Sequence, residues 1–147
     1  IPKKPPIGSL IAYEYLWRSQ SSGREDGVKT YPAVVVMSEM VGETHVVYVL
    51  GISHSEPMAD QRALEFPVKL KRHLGMDSDP SWIYTDEMNV FLWPGPDLRL
   101  ANQLSDLNYS NNTCVIGLIP KDYFDQIKIH LNKSRELKKA KITKRTS

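Results

Sequence analysis

The stretch Gly8-Ser-Leu-Ile-Ala-Tyr-Glu-Tyr-Leu-Trp-Arg18 leads through a polar loop into Gly27-Val-Lys-Thr-Tyr-Pro-Ala-Val-Val-Val-Met37, and its reading decides the fold. Leu10 to Trp17 is rich in aromatic and apolar side chains, which marks a strand. Tyr31 to Met37 is a nearly continuous β-branched run, the pattern of a strand buried on both faces. Ser19 to Thr30 between them carries turn signals (Ser-Ser-Gly, Asp-Gly) and the ionisable groups Arg24, Glu25, Asp26 and Lys29. Loops held between rigid strands are the usual seats of binding and chemistry.

Outward from this core, Met40 to Glu43 forms a turn around Gly42, and Thr44 to Ile52 is the hairpin partner. Ala63 to Phe66 reads as a short strand. Pro67 to Leu74 reads as a short helix, with Pro67 at its first position and Gly75 closing it. Ser81 to Tyr84 and Val90 to Trp93 are further strands, Pro94-Gly-Pro-Asp97 breaks the chain, and Cys114 to Leu118 is the last strand. From Pro120 the period changes: Tyr123, Phe124, Ile127 and Leu131 recur at helical spacing. Beyond Asn132 the apolar positions thin out and Lys133, Arg135, Lys138, Lys139, Lys141, Lys144 and Arg145 dominate, which reads as a helix fraying into a basic tail over 133–147. Many short strands and few helices predict a mainly β fold. The expected form is a small, strongly bent antiparallel sheet or barrel with helices at its ends, one domain over 1–132.

The bulk numbers agree. A chain of 147 residues is the size of one domain, and 41% hydrophobic with 24% charged residues is ordinary globular composition. No apolar run approaches the roughly 18 to 20 residues of a membrane helix, so no membrane partner is expected. Ile1-Pro-Lys-Lys-Pro-Pro6 has no apolar segment behind it and does not read as a signal peptide. Cys114 is the single cysteine, which excludes an internal disulfide and a cysteine-cluster zinc site and suits a cytoplasmic location. The net charge of +2 means that any nucleic-acid affinity must come from a local patch.

His45, His54, His73 and His130 fall on different elements, Asp77 and Asp79 before Pro80 have turn chemistry, and no phosphate-binding glycine loop is present. Neither metal nor cofactor is therefore expected. Three constellations remain. The first is the loop with Arg24, Glu25 and Lys29. The second is Ile52-Ser53-His54-Ser55, where hydroxyls and an imidazole at a strand end can donate to a phosphate. The third is Ser81 to Asn89: alternation places Trp82 and Tyr84 on one face, and Asp86, Glu87 and Asn89 follow at the strand end. Side-by-side carboxylates raise each other's pKa, one route to a base that works near neutral pH.

Taken in order, these pieces resemble the MazF/PemK family of toxins, closest to a PemK-like growth-inhibitor branch. The resemblance rests on the Gly-started first strand, Gly23-Arg-Glu-Asp-Gly27, the Lys29-Thr-Tyr-Pro32 entry to a Val-rich strand, the hydroxyl of Ser53, Ser81-Trp-Ile-Tyr-Thr-Asp86, and Trp93-Pro-Gly-Pro-Asp-Leu-Arg99. It spans about Ile7 to Leu131. It implies an SH3-like barrel with short helices and a C-terminal helix, a homodimer, and an antitoxin protein as partner. The implied activity is metal-independent cleavage of single-stranded RNA by attack of a ribose 2′-hydroxyl on the adjacent phosphate. Carried over, Glu25 matches the loop glutamate, Ser53 the strand-end hydroxyl and Asp86 the later acid. Tyr31 stands in place of the family arginine, and Tyr84 where some members have a catalytic arginine. Lys29, two residues before Tyr31 and so on the same face of an extended strand, is the substitute phosphate stabiliser. The resemblance thus assigns catalysis to Glu25, Lys29, Ser53 and Asp86, and RNA contacts to Arg24, Tyr31, His54, Tyr84 and Glu87. Losing one prearranged donor costs about 10²- to 10³-fold in rate, so a weakened endoribonuclease is expected. The alternative is a degenerate SH3-like module that binds RNA or a protein without cleavage.

Overall fold

The computed structural model describes residues 1–20, 29–101, 104 and 113–145. The fold is mainly β, with eight strands and two helices among the described residues. The strands are β1 (Ser9–Tyr13), β2 (Tyr31–Val41), β3 (Thr44–Ser53), β4 (Ala63–Glu65), β5 (Trp82–Tyr84), β6 (Glu87–Trp93), β7 (Val115–Leu118) and β8 (Lys141–Lys144). The helices are α1 (Val68–His73) and α2 (Lys121–Glu136). The strands run β4-β5-β3-β2-β1-β7, with β6 also on β3 and β8 on β6. All pairings are antiparallel except β6 with β8. The path does not close on itself: β7 ends it on one side and β4 and β8 on the other.

Period-two alternation splits the sheet's side chains between two cores. Leu10, Ala12, Val34, Val36, Leu50 and Ile52 point to one, where Leu70 of α1, Leu74 just past its end, and Ile127 and Leu131 of α2 cover them. Ile11, Tyr13, Ala33, Val35, Val47 and Val49 point to the other, closed by Tyr15, Phe91 and Trp93. Burial on both faces is the reason β1 and β2 read as unbroken apolar runs.

Some bounds differ from expectation: β2 runs on to Val41, and β6 begins at Glu87 rather than Val90, so that Glu87 and Asn89 lie within a strand and not beyond its end. Two further differences shape the site. The first strand ends at Tyr13 rather than Trp17, because the Asn89 side chain takes over the ladder. The Leu16 N–H donates to Asn89 Oδ1 at 2.9 Å, and Asn89 Nδ2 donates to the Leu16 carbonyl at 2.9 Å. The basic tail is the second. Helix α2 continues to Glu136, and Lys141–Lys144 runs parallel to β6 from Glu87↔Lys141 to Val90↔Lys144. Its end is locked by Arg145, whose side chain is 1% exposed and whose Nη2 lies 3.0 Å from Asp97 Oδ2. No helix among the described residues is long and apolar enough to cross a membrane.

The site is prepared by a break in one ladder. β3 pairs with β6 up to Val49↔Asn89 and with β5 from Ile52↔Ile83. Between those pairs β3 spends only Leu50 and Gly51, while the opposite chain spends Tyr84 to Met88. The surplus residues leave the β3 ladder, Tyr84 staying paired with β4 and Glu87 with β8, and Asp86 lies in the step between them.

Candidate functional site

A groove of about 1030 Å³ opens at this step. Trp17, Tyr31 and Tyr84 give it aromatic walls, Ser53 and Ser55 supply hydroxyls, and Asp86 and Glu87 supply carboxylates. Arg18 with Lys138, Lys139 and Lys141 adds cations. Trp17 is the hub: its ring centroid lies 4.4 Å from that of Tyr15, 5.3 Å from Tyr31 and 5.5 Å from Tyr84. Gly51 makes room for it, since a Cβ there would come within 2.7 Å of Trp17 Cη2.

Glu87 is buried, and its Oε1 accepts from the Tyr15 hydroxyl at 3.3 Å and from the Arg18 N–H at 3.1 Å. Burial pushes its carboxyl up to about 7, with the neighbouring Asp86 charge adding to the rise. The Asp86 Oδ2 accepts from the Arg62 N–H at 3.1 Å, while Oδ1 is buried with no hydrogen-bond partner among the described residues. A buried carboxylate oxygen without a protein partner is uncommon. The Arg62 side chain ties this loop to α2, its Nε donating to Ser134 Oγ at 2.6 Å and its Nη2 to the His130 carbonyl at 3.2 Å.

The lysine bank is aimed by the end of α2. The Lys138 N–H donates to the Arg135 carbonyl at 3.0 Å and the Lys139 N–H to the Ser134 carbonyl at 2.8 Å, a Schellman ending. Lys138 occupies the left-handed position, φ 58°, that glycine normally takes. The chain then returns along β6, and the Lys141 N–H donates to the Asp86 carbonyl at 3.0 Å.

A smaller polar recess of about 120 Å³ adjoins the groove and shares Tyr31, Ser53 and Ser55 with it; Lys29, Thr30, Ile52 and His54 complete its lining. Lys29 Nζ lies 5.2 Å from the Tyr31 ring centre. Behind the recess, one side-chain donor each from His54, Asp77 and Asp79 converge within 4.8 Å. The cation at this cluster is Lys71, fully buried, which donates to Asp77 Oδ1 at 2.7 Å, to Ser81 Oγ at 2.8 Å and to the Asp79 carbonyl.

Of the residues expected from sequence, Tyr31, Ser53, Tyr84, Asp86 and Glu87 meet in the groove, and Lys29 and His54 line the recess. Arg24 and Glu25 lie outside the described residues. Sequence reasoning missed Trp17, Arg18 and the Lys71–Asp77 pair behind His54. For Trp17 the signal was present in the Tyr15-Leu-Trp17 spacing, which repeats an aromatic on one face. No protein-family model, curated protein or solved structure matches this chain.

Proposed function

We propose that this chain is a metal-independent endoribonuclease of the MazF/PemK kind, a toxin-like growth inhibitor that cuts single-stranded RNA. The observation that carries the reading is the position of Asp86 and Glu87, under a wall of three aromatic rings and beside a bank of lysines. Aromatic faces stack bases irrespective of sequence, lysines take up phosphate charge, and a carboxylate titrating near neutral pH removes a hydroxyl proton efficiently. Sequence logic offers Asp86 or Glu25 as base; burial favours Glu87, with Asp86 keeping its proton affinity high. The bent, unclosed sheet fits an SH3-like arrangement. The apolar side chains exposed around the β2–β3 turn (Met37, Met40, Val41) and on β6 (Leu92) offer a homodimer face. A cytoplasmic location and an antitoxin partner belong to the same proposal.

The deciding experiment incubates purified protein with single-stranded RNA in EDTA. Cleavage should leave a 2′,3′-cyclic phosphate and a 5′-hydroxyl. Intact RNA together with undisturbed growth on expression would sink the proposal. Tyr31 favours one second reading, an RNA binder that does not cut, because a ring stands where a guanidinium is expected. Salt-sensitive binding without cleavage, converted to cleavage by Tyr31→Arg, would select it.

Lys138 gives an independent check. A lysine in the left-handed region costs about 1 kcal/mol relative to glycine, a strain that makes sense if its charge is needed at the groove. Lys138→Gly should raise stability by about that amount in urea unfolding. The same substitution should weaken RNA binding and reduce its salt slope by about one.

A further inference from the structure

We propose that His54 is the general acid that protonates the departing 5′-oxygen, held for that task by Asp77 and the buried Lys71; the assignment rests on the ribonuclease reading above. Attack by a 2′-oxygen requires the nucleophile and the leaving oxygen to lie on opposite sides of the phosphorus, so one group cannot serve both protons in place. The structure has two compartments that fit this demand. Glu87 lies in the groove, His54 in the small recess, and the wall they share is made of Tyr31, Ser53 and Ser55. The recess is polar, has room for one phosphate group, and carries Lys29 at its rim.

His54 is set up as a proton donor. Its Nε2 lies 3.3 Å from Asp77 Oδ1 and 3.2 Å from Oδ2. Asp77 is itself fixed by Lys71 Nζ at 2.7 Å and by the Asp79 N–H at 3.1 Å. Burial pushes the Asp77 carboxyl up, but Lys71 and His54 outweigh it and hold the group below its ordinary range, so it stays an acceptor. An ionised carboxylate on Nε2 fixes the ring's orientation and keeps the Nε2 proton, so that when the ring is the imidazolium its Nδ1 proton is the one given up. The imidazole is 37% exposed, so substrate can reach it.

The step balances. The 2′-hydroxyl proton passes to Glu87 as the O2′–P bond forms. The P–O5′ bond breaks, and O5′ takes the proton from His54 Nδ1. The products are a 2′,3′-cyclic phosphate and a free 5′-hydroxyl; Glu87 is left protonated and His54 neutral, and both reset by exchange with water. Asp77 and Lys71 act through His54 and are positioning residues.

The test compares two single-stranded oligoribonucleotides that differ at one linkage, where sulfur replaces the bridging 5′-oxygen. A thiolate leaves without protonation, so it removes the need for an acid but not for binding or for a base. His54→Ala and His54→Gln should cut the oxygen linkage at least about 100-fold more slowly than the wild type. Both should cut the sulfur linkage at close to the wild-type rate. Asp77→Asn should show a smaller loss with the same pattern, and circular dichroism confirms that each variant is folded. Equal losses on both linkages, or no loss on either, overturn the assignment while leaving the ribonuclease reading standing. A wild-type protein inert on both substrates overturns that reading and this one with it.

Discussion

Arg145→Ala is expected to destabilise the protein by about 3–5 kcal/mol, seen as a fall of about 10 °C or more in thermal midpoint. The guanidinium is 1% exposed and the Asp97 carboxylate opposite is 10% exposed, with Nη2 and Oδ2 3.0 Å apart. Nη1 donates to the Glu14 carbonyl at 2.8 Å and reaches Asn89 Oδ1 at 3.5 Å. The side chain also lies over the Tyr13 ring, 5.8 Å from its centre. Removing it takes the arginine from a buried carboxylate and from two further acceptors at once. Arg145→Lys keeps the charge but cannot present a planar fork to three acceptors, so it should recover only part of the loss. Pairing Arg145→Met with Asp97→Asn should recover more, because the uncompensated charge goes with its partner.

The effect reaches the groove. Asn89, which Arg145 touches, also holds both backbone groups of Leu16, and Trp17 and Arg18 follow directly. The Arg145 N–H donates to the Val90 carbonyl at 2.9 Å and closes the β6–β8 pairing that carries Lys141 to Asp86. Both banks of the groove are therefore anchored at one residue, the Leu16–Arg18 bank through the Arg145 side chain by way of Asn89 and the β8 bank through its backbone. Arg145→Ala should weaken RNA binding even at temperatures where it is fully folded, an outcome a simple loss of stability does not give.

Arg145 also shows why part of this structure was not legible in the sequence. A charge in a run of charges reads as solvated, and its acceptors come from far away, the Glu14 carbonyl 131 positions along the chain. Lys71 is the same case: on a short helix a lysine beside Leu70 signals a solvent face, and only the packing of α1 against residues 77–81 buries it. What could be read was local. The both-face burial of β2 leaves an unbroken apolar run, the helical spacing from Pro120 marks α2, and alternation places Tyr84 and Ile83 on opposite sides. Adjacency of Asp86 and Glu87 foretold a raised carboxyl but ranked the causes wrongly, since burial contributes more than the neighbouring charge. That burial follows from the break between β5 and β6, a matter of long-range register that no local window contains.

Glu87→Gln should separate the catalytic use of this carboxyl from its cost to the fold. Its carboxyl rises from 4.5 to about 7 in the folded chain, so the folded state binds the proton more tightly than the unfolded one. Stability is accordingly greatest below the unfolded value, where the group is protonated in both states, and falls as pH climbs through about 7. Above that pH the ionised, buried carboxylate costs roughly 3 kcal/mol. Glutamine has the shape of the protonated acid, accepts the same bonds from Tyr15 and Arg18, and never ionises. In urea unfolding the variant should match the wild type at about pH 4 and exceed it by roughly 3 kcal/mol at about pH 8.5. The reaction should respond in the opposite sense. The wild-type rate should rise with pH through about 7 as Glu87 becomes the competent base, and the variant should be about 10²- to 10⁴-fold slower with that rise removed. A variant no more stable at high pH would mean that Glu87 is not held protonated near neutrality. A more stable variant that keeps the rise in rate would show that Glu87 is held protonated near neutrality but is not the base.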